Sequence, residues 1–169
     1  MKPKISITEL DDDSRDLLLK PDLIKLREDH DIIIMPLEES NGKQLFSEYA
    51  QDFLMFVRDN NPETKIAAYS HGNEEIEEKC SVFIELGRFL IETGIGPAII
   101  EMIIKYALEK LKCMGRETNS SSEDEAVRFS LITNDENENK KLEICYSGSV
   151  QGIKAVQSLI KTIQNNPKQ

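Results

Sequence analysis

Tryptophan is absent from the chain, and its four tyrosines are scattered. No aromatic cage and no stacking row for single-stranded nucleic acid can be assembled from them. Cysteine is scarce. Cys80, Cys113 and Cys145 stand singly, and an odd count without close spacing excludes a disulfide framework. Each lies beside apolar residues, as small buried thiols of a reducing cytoplasm do. Basic runs never exceed two residues, and the formal net charge is -10. Such a surface repels nucleic-acid phosphates and anionic membranes. The first residues, MKPKISITELDDD, lack the apolar stretch of a secretory signal, so the Asn119-Ser120-Ser121 sequon carries no meaning. There are two histidines, and no His or Cys pair has CxxC or HxxxH spacing, so no metal is expected. GxGxxG, GxxxxGK[ST] and GxSxG are missing too, and no cofactor is expected.

What remains is a chain of 169 residues, 39% hydrophobic and 31% charged. That is one soluble domain with a real core and a heavily charged surface. KISITE, residues 4–9, alternates like a short strand. Asp11-Asp12-Asp13-Ser14 offers N-cap chemistry for a short helix, and Pro21 suits the first position of a second. The triple aspartate is read as a solvated acidic loop rather than a cation site, because adjacent side chains point different ways. DIIIMPL, 31–37, reads as a buried strand. Asn41-Gly42 marks a turn. Leu45, Phe46, Tyr49, Phe53, Phe56 and Val57 follow a helical period over 43–59. KIAAYS, 65–70, reads as another strand. Together these three predict a βαβ unit with parallel strands and a right-handed crossover.

Asn73 is placed to cap a helix whose first turns carry Glu74, Glu75, Glu77 and Glu78. The pattern Val82, Phe83, Leu86, Leu90 extends that helix to about Thr93. Gly94-Ile95-Gly96-Pro97 breaks it, and Pro97 opens a further helix to about Cys113. FLIETGIGPAIIEMIIKYAL, 89–108, is the most apolar stretch, yet Glu92, Glu101 and Lys105 lie inside it. A charge at mid-membrane costs roughly 2.5–3.5 kcal/mol, against about 0.3–0.6 returned by each Leu, Ile or Phe. No membrane span is therefore expected. In the second helix Glu101, Lys105, Glu109 and Lys112 form one narrow charged face, and the rest is apolar. Two readings stay open: a central helix of this domain, or a helix pair that completes its burial against another chain. In the latter, Phe89, Ile95, Ile99 and Ile103 are the binding-interface residues.

GRETNSSSEDE, 115–125, reads as a linker between residues 1–114 and a unit over 126–165. AVRFSLIT and KLEICYS alternate about a polar turn and predict a β-hairpin. Ile153, Val156, Ile160 and Ile163 then form the stripe of a last helix. The fold class is α/β or α+β: a small mixed sheet with an N-terminal βαβ-like unit, a central apolar helix pair and a C-terminal hairpin plus helix.

Candidate chemistry is thin. His30 reads as a solvated loop residue. His71, in Ser70-His71-Gly72-Asn73, follows a strand, where open α/β sheets gather ligands. As a site, His71 would be acid or base, with the Asn73–Glu75 amides cradling an anion. The alternative is a plain turn with a helix cap, which the following glutamates favour. AVRFSLIT, a polar turn, KLEICYSG and then SVQGIKAVQSLIKTI resembles the layout of small bacterial effector-associated constant components. These are non-enzymatic partners in bacterial conflict and phage-defence systems. A glycine-bearing helix pair ahead of such a unit is also similar. The likeness covers the last half of the chain, leaves the βαβ-like part unaccounted for and brings no catalytic residues. It implies an adaptor or regulatory subunit that docks onto an effector. The sequence therefore points to a cytoplasmic, non-enzymatic protein–protein adaptor. The alternatives are an enzyme or small-ligand binder at Ser70-His71, and a self-assembling structural subunit.

Overall fold

The computed structural model describes residues 3–40, 43–72, 74–77, 84–92, 94–113, 127–135 and 140–165. Its elements in order are β1 (Lys4–Glu9), α1 (Asp12–Leu18), α2 (Pro21–Asp29), β2 (Ile32–Met35), β3 (Glu38–Ser40), β4 (Lys43–Ser47) and α3 (Ala50–Asn60), then β5 (Ile66–Ala68), β6 (Glu74–Glu77), β7 (Ile84–Ile91), α4 (Gly96–Cys113), β8 (Val127–Asp135), β9 (Lys140–Gly148) and α5 (Ile153–Asn165). A mixed six-stranded sheet runs β1-β9-β8-β7-β2-β5, and a three-stranded sheet runs β3-β4-β6. This is the mixed α/β class that the patterning predicts.

Alternation on the strands assigns two faces. Ile32 and Ile34 of β2, Phe129 and Leu131 of β8, and Ile144 and Tyr146 of β9 share one core with Phe53 and Val57 of α3, Ile99 and Ile103 of α4, and Val156 and Ile160 of α5. On the opposite face Ile33, Met35, Leu90 and Ile132 pack with Leu10, Leu18 and Leu23 beneath α1 and α2. Burying both faces of β2 explains why it reads as a continuous apolar run. The cap of α1 is as expected, with the Asp11 carboxylate accepting from Ser14 N–H at 2.8 Å. Pro21 begins α2.

The βαβ unit forms, with β2 and β5 parallel. Its crossover is richer than expected. Lys43–Ser47 is strand β4, hairpinned to β3, and the helix begins only at Ala50. Leu45 and Phe46 thus belong to a strand rather than to the helical stripe.

The larger correction concerns the apolar helix pair. The described parts of its first helix, Glu74–Glu77 and Ile84–Ile91, are strands β6 and β7. β7 lies near the middle of the large sheet, antiparallel to β2 and parallel to β8. Its register shifts between Glu85 and Gly87, and Gly87 sits at φ 97°. This bulge changes the phase of alternation, so Ile84, Leu86, Phe89 and Ile91 all reach the same core. The strand consequently lacks clean period-2 spacing, and Leu86 and Leu90 fall at a helical interval. The parallel pair β7–β8 is joined through α4, a second strand-helix-strand unit. The expected cap at Asn73 and the linker 115–125 lie outside the described residues. β8 and β9 are interior strands of the sheet begun by the N-terminal part.

No described helix is long and apolar enough to cross a membrane.

Candidate functional site

The residues expected at a protein interface lie inside. Phe89, Ile99 and Ile103 are each 0% exposed, and Ile95 is partly buried against the same core. Phe89 meets the Phe53 ring edge-on at 5.2 Å, and Phe53 meets Tyr106 at 5.4 Å. The apolar girth of α4 is thus taken up by β-sheet, α3 and α5 of its own domain, while Glu101 and Lys105 stay exposed. Of the two readings left open by the sequence, the central helix is the one observed.

His71 follows the carboxyl end of β5, as expected. The described residues that follow it form no helix before β7. Glu74–Glu77 is a strand paired in parallel with β4, so the expected cradle at a helix N-terminus does not form. Carboxylates surround the imidazole instead. Its Nδ1 lies 3.8 Å from Asp22 of α2 and its Nε2 lies 3.9 Å from Glu39 of β3. Both distances exceed hydrogen-bonding range. The Tyr69 ring stands edge-on to the imidazole at 4.7 Å, and its hydroxyl donates to Asp22 at 3.0 Å. Burial first, then the Asp22 carboxylate, push the Tyr69 phenol up to about 12. Ser70 Oγ donates to Glu74 close by. A site so lined repels anions.

Gln44 organises this corner, and the sequence does not single it out. Its side-chain amide is buried at 1% exposure. Nε2 donates to Tyr69 O at 2.9 Å and to Glu39 at 3.0 Å, while Oε1 accepts from His71 N–H at 2.7 Å. One side chain thereby ties the small sheet to the end of β5. In the sequence it sits within what reads as an amphipathic helix, where a glutamine is unremarked.

A second region lies on half of the large sheet. α1 and α2 cover the β2, β7 and Ile132 portion, and among the described residues no helix covers the β1-β9-β8 end. There the outward residues form rows across the strands. Lys4, Ser147, Arg128 and Glu85 are register neighbours, and so are Ser6, Cys145, Ser130 and Arg88. An open groove of about 520 Å³ lies over these rows, except at Arg88. Arg128 donates to Ser147 Oγ at 3.3 Å, and Arg88 pairs with Glu143 at 3.0 Å. Cys145 is half-buried on this floor, where burial raises its thiol. Cys113 is exposed at the end of α4, which corrects the expectation of a buried thiol there. Cys80 lies outside the described residues. His30 is half-buried rather than free in solvent, with Nδ1 2.9 Å from Leu26 O. Among the described residues, no three His, Cys, Asp or Glu side chains gather to hold a metal.

No protein-family model, curated protein or solved structure matches the chain.

Proposed function

We propose that this protein is a cytoplasmic, non-enzymatic adaptor or regulatory subunit that acts by docking onto another protein chain. One observation carries the reading: among the described residues, no helix lies over half of one face of the large sheet, from β1 to β8. A floor of hydroxyls, one thiol and paired charges has the composition of a polar, hydrogen-bonding recognition surface. The acidic exterior deters nucleic acid and discriminates among partners by charge. The resemblance of residues 126–165 to effector-associated components supports an effector as the partner and a bacterial defence system as the setting.

A photo-crosslinking residue at Ser147, on the floor, tests this in the native host. It is expected to trap one discrete chain of different mass, whereas the same residue at the exposed Lys25 of α2 traps none. No adduct at Ser147, or the same adducts from both positions, would sink the reading.

A second reading draws on the His71 corner, where Asp22, Glu39 and the Tyr69 ring converge on one imidazole. That lining suits a cationic small ligand rather than the anion first expected. A His71→Ala protein with unchanged ligand binding or activity removes it.

A further inference from the structure

We propose that β1 pairs with β1 of a second copy, antiparallel and centred on Ser6, so that two six-stranded sheets join edge to edge. The starting observation is an open edge. Among the described residues β1 is bonded on one side only, to β9, and all six of its residues are exposed. The opposite edge is treated differently. β5 is a three-residue strand, and the Arg58 guanidinium donates to its Ile66 carbonyl at 3.3 Å. Shortness and capping by a charged side chain are the usual protections of an edge. β1 has twice the length, and its edge carries Ile5 and Ile7, exposed at 36% and 45%.

The hydrogen-bonding phase of that edge is fixed. Leu10 N–H donates to Lys141 O at 3.2 Å. Residues alternate in an antiparallel ladder, so Leu10, Thr8, Ser6 and Lys4 turn their backbone groups toward β9. Ile5, Ile7 and Glu9 turn theirs outward. A partner strand must present outward-facing groups in the same phase. The strand KISITE does so for itself. With Ser6 opposite Ser6, Ile5 falls opposite Ile7 of the second copy and Ile7 opposite Ile5. Both are outward-facing, so each pair exchanges two backbone hydrogen bonds. Glu9 N–H then faces the Pro3 carbonyl, the half of Pro3 that remains able to bond.

The side chains agree with the backbone. Ile5 and Ile7 are register partners of Tyr146 and Ile144, so they lie on the face that carries α5. In the paired register the isoleucines of both copies form one apolar strip on that face. On α5, Gln157 donates to Pro97 O of α4. Leu159 and Ile163, half-buried against the core, lie on the opposite flank of the helix by its 3.6-residue period. Any extended peptide can meet the backbone phase, whereas a second copy also matches the isoleucine pairs by symmetry and covers both open edges at once.

A single strand pair belongs to the small, reversible class of interfaces. The test is sedimentation velocity of the full chain over a concentration series, with two variants. Ile7→Pro removes an outward N–H and leaves the β1–β9 ladder untouched. Ile5→Lys with Ile7→Lys replaces the apolar strip by like charges. Wild-type protein is expected to shift from the monomer mass of 19.3 kDa to twice that mass as concentration rises. Both variants are expected to stay monomeric, with unchanged circular dichroism. If the proline variant fails to fold, the lysine variant decides. A wild-type monomer up to about 1 mM, far beyond the micromolar range of weak specific pairs, overturns the proposal. So does a dimer that persists in a folded variant. Trapping of a different chain at Ser147 by a strictly monomeric protein upholds the docking reading and overturns this one.

Discussion

A phenol, a carboxylate and an ammonium group meet where α3 crosses α4. Tyr106, 2% exposed, donates to Asp52 at 2.7 Å, and Lys110 reaches the same carboxylate at 2.6 Å. Burial alone would push the Asp52 carboxyl up. The hydrogen bonds from Lys110 and Tyr106, with the Lys110 charge, outweigh burial and hold it below its ordinary value. A carboxylate whose folded pKa is depressed contributes stability above its unfolded pKa and loses it as pH falls through the folded one. Tyr106→Phe is therefore expected to cost about 0.5–1.5 kcal/mol at pH 7. The gap from wild type should narrow as acid protonates Asp52. Urea titrations at pH 7 and in the acid range check both statements, and a gap that widens in acid contradicts them. The sequence hides this trio, because Asp52 looks like one more acidic residue on a polar helix face.

At the scale of single elements, β7 shows why some structure was legible and some was not. The C-terminal hairpin and the strands β1, β2 and β5 follow plain alternation or a β-branched run, and each is where the pattern puts it. β7 hides its alternation behind the bulge at Gly87, and a preceding run of glutamates mimics a helix start. Gly87 has φ 97°, yet an added Cβ would meet Ser47 Cβ only at 3.6 Å and Leu37 at 3.9 Å. The cost of Gly87→Ala thus comes from the backbone rather than from a clash, and is expected to be about 1–2 kcal/mol. Thermal unfolding measures it. An unchanged midpoint would mean that the bulge relaxes into a form any residue tolerates.

For the whole molecule, the sequence tells which segments are apolar but not what each of them faces. α4 reads equally as an internal helix or as half of an interface, and only the placement of β7, β8 and α5 around it decides. The order of strands is illegible for a related reason: β1 and β9 pair across almost the full chain, and no local pattern encodes that. The decision has a direct consequence for mutation. Ile103→Asp places a charge without a partner in the central core, a change that unfolds marginal proteins. The variant is expected to lose its cooperative unfolding transition and its near-ultraviolet dichroism. If it stays folded and loses only an intermolecular contact, the helix is more exposed than its 0% accessibility states.

The pairing of Lys4 with Ser147 also sets an order in time. On the ribosome β1 emerges long before β9, its neighbour in the large sheet among the described residues. At synthesis rates of about 5–20 residues per second, the strand waits roughly 7–29 s for its seat. Throughout that interval both of its edges, and both of its isoleucines, are open to whatever else the cell presents. A nascent chain halted before residue 140 can assemble much of the β2, β5 and β7 region, but it carries an unhoused strand. Chains halted there should therefore be marked out to chaperones by β1 rather than by the segment last made.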